Sequence, residues 1–331
     1  MIKQVGSNTL QFCDMVVIDG YASVVGKKES EGPLKEDFDK IVFDMHLGQS
    51  SWEKAESQLQ KEALSLALQK SSFGAEDIGF LFAGDLLNQC TGSSYGLKDF
   101  YIPYLGQYGA CSTMIQSLIM ASVMVESGAS HSSACVTSSH FCSAERQYRF
   151  PLDYGAFRAP SAQWTVTGSG ACVVSKGGSK TKPKVKFATV GKIVDLGVND
   201  QNNMGAAMAP AAADTLNTFF ADTQTNPQDY DAIFTGDLGV FGSALLYDLI
   251  DIRDNHKDCG AMIYKGMKDV GAGGSGCGCC ASVLCGHILK NMESKNLHNI
   301  LVMATGALLS PTSVLQNSTI PSIAHLVNIV I

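Results

Sequence analysis

With 331 residues, 45% of them hydrophobic and 17% charged, the chain has apolar material for a large core and room for two domains or one duplicated one. Its formal net charge of −7 argues against broad nucleic-acid binding, which needs a basic surface. No run approaches the ~20 apolar residues of a spanning helix, the start lacks the basic end and apolar run of a secretory signal, and the eleven cysteines are expected to be mostly reduced.

In chain order, residues 15–25 predict an opening strand and turn. Residues 50–72 predict an amphipathic helix: Leu59, Ala63, Leu66 and Ala67 recur at helical spacing, and Ser50 or Ser51 supplies the N-cap. Residues 79–83 predict a buried strand. Residues 111–126 are apolar nearly all round, which predicts a buried helix ended by Gly128. Residues 133–137 predict the next strand, and residues 163–174 a strand pair turning at Gly168-Ser169-Gly170. The Gly/Lys/Pro-rich stretch 175–186 is expected to join two halves, 1–180 and 181–331. The second half is expected to run strand 185–194, helix 206–221, strand 232–235. Its Gly-rich turn at 271–278 then leads into a helix over 279–292, with strands over 299–305 and 323–331. Strands alternating with helices predict an α/β sheet with helices on its faces.

Two segments say nearly the same thing. In GAEDIGFLFAGDLL (74–87) and NPQDYDAIFTGDLG (226–239), Asp77 matches Asp229, Gly84 matches Gly236 and Asp85 matches Asp237 at one offset. Each copy follows an Ala/Leu-rich helical stretch, so each reads helix, tight turn, acidic cap, short strand, Gly-Asp. A duplicated half-domain accounts for this. Halves that share a core place a site where they meet, so the Asp85 and Asp237 loops are expected to lie close together.

Cys111 follows a Gly-Ala turn at the head of a predicted buried helix. Unpaired N–H groups and the helix dipole there favour a thiolate; the alternative is a small packing residue. Three of the four arginines, Arg146, Arg149 and Arg158, are interleaved with Tyr148, Phe150, Tyr154 and Phe157, and Trp164 follows. Guanidinium forks match carboxylates and stack on rings, which suits a flat anion. The alternative is an interface loop with salt bridges to Glu145 and Asp153. Gly271 to Gly276 formally fits a dinucleotide fingerprint, but no strand run immediately precedes it; close helix packing is the better account. Cys277, Cys279, Cys280, Cys285 and His287 lack the paired knuckles of a zinc site.

Tyr108-Gly109-Ala110-Cys111-Ser112-Thr113 resembles the nucleophile elbow of the thiolase superfamily, and TGSGACVV (167–174) resembles its Gly-rich strand turn. The resemblance implies a thiolase-like five-layer αβαβα fold built from two βαβαβαββ halves. The ketosynthase III branch adds a His and an Asn that stabilise an oxyanion. Here the His position falls on Gly236 and the Asn position near Cys277, so the nucleophile-like Cys is kept without its partners. His256 or His287 could replace them only if the fold brings them close.

ACVTSSHFCSAERQYRFPLDYG, with YGACSTM before it and GSGCGCCASVLCGHIL after it, is similar to a sporulation branch of that superfamily. That branch binds dipicolinic acid, or calcium dipicolinate, beside the membrane subunits of a transport complex. The resemblance implies a non-catalytic, cytoplasmic protein peripheral to the spore inner membrane, without cofactor or metal, and a homodimer. It implies a ligand site drawn from Cys111, His140, Arg146, Arg149, Arg158, Trp164, Asp237 and Cys277. The competing reading is an acyltransferase with an acyl–Cys111 intermediate.

Overall fold

The computed structural model describes residues 1–148, 158–177, 179 and 181–331. Ten strands form the frame. Those of the first half are β1 (Thr9–Gly26), β2 (Phe80–Gly84), β3 (Tyr104–Gly106), β4 (Ser132–Ser139) and β5 (Gly168–Ser175). Those of the second half are β6 (Lys184–Thr189), β7 (Ala232–Thr235), β8 (His256–Asp258), β9 (Asn299–Ala307) and β10 (Ser322–Val330). They hydrogen-bond in the order β8-β7-β9-β10-β6-β1-β5-β4-β2-β3. Read outward from the β6–β1 junction, both halves give the same sequence of first, fifth, fourth, second and third strand. Parallel and antiparallel pairings also correspond on the two sides. The internal repeat is therefore a structural one. The halves join because β1 is long: its start pairs with β6 and its end with β5.

Four helices complete the layers: α1 (Trp52–Lys70), α2 (Thr113–Glu126), α3 (Met204–Thr223) and α4 (Cys277–Val283). α1 begins where Ser51 accepts a hydrogen bond from the Lys54 N–H, and it buries Leu59, Ala63, Leu64 and Ala67 on the outer face of the first half. α3 does the same for the second half through Ala211, Leu216 and Phe219. α2 and α4 lie between the two sheet regions, so they are apolar on every side. The result is the five-layer αβαβα arrangement.

Several elements differ from the sequence expectation. Gly168-Ser169-Gly170 is not a turn but lies inside β5. Its glycines are there because α4 presses on the strand: a Cβ at Gly170 would collide with the Ala281 carbonyl. α4 starts at Cys277, two residues early, and continues through a π-type turn, Leu284–Ile288, into Leu289–Glu293. The edge strands β3 and β8 and the helix Gly239–Leu249 were not predicted.

Candidate functional site

Cys111 sits in a single 3-10 turn, Ala110–Ser112, that precedes α2. Ala110 takes a positive φ of 51°, and the turn is locked by its own polar side chains. Ser112 Oγ donates to the Gly109 carbonyl at 2.6 Å, and Thr113 Oγ1 donates to the Ala110 carbonyl at 2.5 Å. From the other half, the Cys277 thiol donates to that same Ala110 carbonyl at 3.0 Å.

The two Gly-Asp loops converge on these helix starts. Asp237 is buried behind Cys111, accepting from the Cys111 thiol, from Thr305 Oγ1 at 2.8 Å and from the Gly276 N–H at 3.3 Å. Asp85 accepts from the Ser93 N–H at 2.7 Å, from Ser93 Oγ at 2.6 Å and from the Leu87 N–H at 2.8 Å. Both carboxyls lie within electrostatic reach of Cys277.

Of the two readings of Cys111, thiolate or small packing residue, this geometry disfavours the thiolate. Burial, followed by the fields of Asp237 and Cys277, pushes the thiol well above its ordinary value, and the Gly276 N–H opposes them only weakly. Burial also raises Asp237, to about 7. The helix terminus is thus outweighed by desolvation and by an acid delivered from the second half.

A cavity of about 680 Å³, counting its open mouth, is bounded by Cys111 and Gly276, by Glu145 and Tyr148, and by Gln163 and Met204. The 8% exposure of Cys111 opens into it. Gln163 donates from Nε2 to the Asp237 carbonyl at 2.5 Å and to the Gly274 carbonyl at 3.1 Å. These two acceptors fix the amide orientation and leave its buried Oε1 without a hydrogen-bond partner. The described residues of the lining include no His, Lys or Arg.

Arg158 lies directly behind that lining. Its guanidinium pairs with Glu145 at 3.1 Å, donates to the Gln163 carbonyl at 3.1 Å, and sits 4.9 Å from the Trp164 ring centroid. Trp164 itself stacks on Phe141 with centroids 4.2 Å apart. Arg146 is directed elsewhere, into an ion pair with Glu53, and does not line the cavity. Arg149 lies outside the described residues, as do Asp153 and its aromatic neighbours at 150, 154 and 157. His140 is fully buried under Met45, donating from Nε2 to its carbonyl at 2.9 Å, while Nδ1 accepts from the Cys142 N–H; burial pushes its pKa down. Cys277 and Asp237 back the cavity without lining it.

His256 and His287 do not replace the missing partners. His256 is hydrogen-bonded to Thr235 and Tyr247, with burial lowering it to about 4, and His287 pairs with Asp37 at 2.6 Å. Among the described residues no cluster of three metal-ligating side chains exists: the Cys285 thiol approaches Cys172, and Cys279 donates to the Gly236 carbonyl. The sequence reading named Tyr148 beside the arginines and Glu145 as their salt-bridge partner, which Arg158 bears out, but placed neither in the ligand site, and it gave Gln163 and Gln201 no role. Glu145 and Tyr148 were within reach, since three residues apart on one helix they share a face. Gln163 and Gln201 sit outside the helices and long strands, and no periodicity marks them.

A buried thiol at the head of a central helix, between two repeated α/β halves, defines a protein of the thiolase-like fold. Solved structures of Xanthomonas campestris OleA agree. One variant superposes with a TM-score of 0.64 at 14% identity, covering 99% of this chain and all of that one; the cerulenin-bound form gives 0.60 at 15%, covering 96% and 97%. The family described as Stage V sporulation protein AD matches residues 6–330. Stage V sporulation protein AD of Bacillus subtilis (strain 168) is 44% identical over 329 residues, 98% of this chain and 97% of that protein. The chain belongs to the stage V sporulation protein AD family. No helix among the described residues is long and apolar enough to cross a membrane.

Proposed function

We propose that this chain binds dipicolinate, or its calcium complex, without transforming it, as a peripheral subunit of the sporulation complex that moves this compound at the spore inner membrane. One observation carries the non-catalytic part. The Cys111 thiol is held protonated by burial and by Asp237, and the described residues of the lining include no His, Lys or Arg to polarise a carbonyl. Acyl transfer needs a thiolate and oxyanion donors together.

For the ligand, Arg158 contacts Glu145 and Gln163 of the lining, with Trp164 and Phe141 stacked beside it. A dianion entering a chain of net charge −7 requires such local compensation. The halves 1–180 and 181–331, and a homodimer, complete this reading. Titration calorimetry with dipicolinate, with and without calcium, tests it: saturable binding is expected, and absence of binding in both conditions rejects it.

A further inference from the structure

The helix Gly239–Leu249 buries Gly242, Ser243 and Leu246 against α3 and its surroundings. Its outward face is apolar as well. Val240, Phe241, Leu245 and Leu249 are 54%, 46%, 40% and 50% exposed. Phe241, Leu245 and Leu249 follow at four-residue steps and make one stripe along the helix. The counterpart in the first half, Thr91–Leu97, reads TGSSYGL, and its exposed positions are Ser94 and Tyr95. The fold therefore does not demand an apolar stripe here, and a contiguous exposed apolar face marks an interaction site.

The stripe runs into an acidic corner formed by exposed Asp248, Asp251 and Asp254. Arg253 is stacked over Tyr247 at 4.8 Å, and Lys257 lies over Phe234 on the opposite side of the sheet. A cleft lined by Tyr230, Asp251, Arg253 and Asp254 opens at this corner. We propose that this face docks an apolar helix of a partner protein, with Lys or Arg side chains at one end seated in the acidic cleft. An anionic bilayer is repelled by the same carboxylates. Two copies of this chain paired with these helices parallel would bring their acidic corners together.

The test uses a fluorescent helical peptide with a leucine stripe and terminal lysines, and a twin carrying glutamates instead. Anisotropy is expected to show the lysine peptide binding the intact chain, and Phe241→Asp with Leu245→Asp to weaken it at least about tenfold. Asp251→Asn with Asp254→Asn is expected to abolish the preference for lysine over glutamate. Dipicolinate binding by the Phe241/Leu245 variant is expected to equal that of the parent; its loss would place this face in the ligand site and overturn the proposal. Equal peptide binding by parent and variant would overturn it too. So would co-sedimentation with phosphatidylglycerol vesicles, or a dimer, that the variant abolishes.

Discussion

Glu29 offers a sharp test of how burial controls charge in this molecule. It is fully buried and accepts from the Thr167 N–H at 3.0 Å and from the Tyr264 hydroxyl of the second half, while its other oxygen has no hydrogen-bond partner. Burial raises the carboxyl from 4.5 to about 7. The folded state then holds its proton more tightly than the unfolded state does, so stability is fully present below about pH 4.5 and is lost as pH rises through about 7. A shift from 4.5 to about 7 corresponds to about 3 kcal/mol. With an unfolding entropy of about 2.1 cal/mol/K per residue over 331 residues, that becomes about 4 °C in Tm. Glu29→Gln keeps an oxygen for both donors and removes the titration. Melting curves of parent and variant from pH 4.5 to 8 are therefore expected to diverge by about 4 °C, the parent losing ground as pH rises. Parallel curves, or divergence in the opposite direction, would refute the reasoning.

Other expectations concern the cavity. Arg158→Ala removes a charge-assisted pair worth roughly 1.5–3 kcal/mol, so dipicolinate affinity should fall about 10- to 150-fold by calorimetry. Arg158→Lys should not restore it, since the planar fork is lost. Asp237, raised to about 7, gains its charge between pH 6 and 8, so dipicolinate should bind more weakly at pH 8 than at pH 6; a flat profile would place the ligand away from Cys111. Cys111→Ala should leave the circular dichroism spectrum intact and lower ligand affinity only modestly.

Much of the frame was legible because it depends on local pattern. The Gly84-Asp85 and Gly236-Asp237 repeat follows two short buried strands, and the spacing of Leu59, Ala63 and Ala67 placed α1 within two residues at either end. What failed depended on distant contacts. β3 and β8 are three-residue edge strands, too short to show alternation. The glycines of β5 look like a turn until α4 is placed against them. Cys111 could be read from the sequence either as a thiolate or as a small packing residue, and the local pattern does not choose between them. A helix start read alone omits the burial and the acid from the second half that decide it.

The pseudo-twofold arrangement also explains why a retained cysteine does not imply retained chemistry. Each half contributes a Gly-Asp loop and a helix start, and the two sets meet around Cys277 and Cys111. Beside the thiol, the Gly276 N–H is already engaged by Asp237 at 3.3 Å. An incoming thioester oxygen would have to displace an internal acceptor and then face the Asp237 carboxyl. Losing one such donor typically costs about 2.7–4 kcal/mol of transition-state stabilisation, and here the thiolate is lacking as well. Intact-mass measurement after incubation with acyl-CoA compounds is accordingly expected to show no adduct on Cys111. An acyl adduct that forms and turns over, and that Cys111→Ala abolishes, would restore the acyltransferase reading.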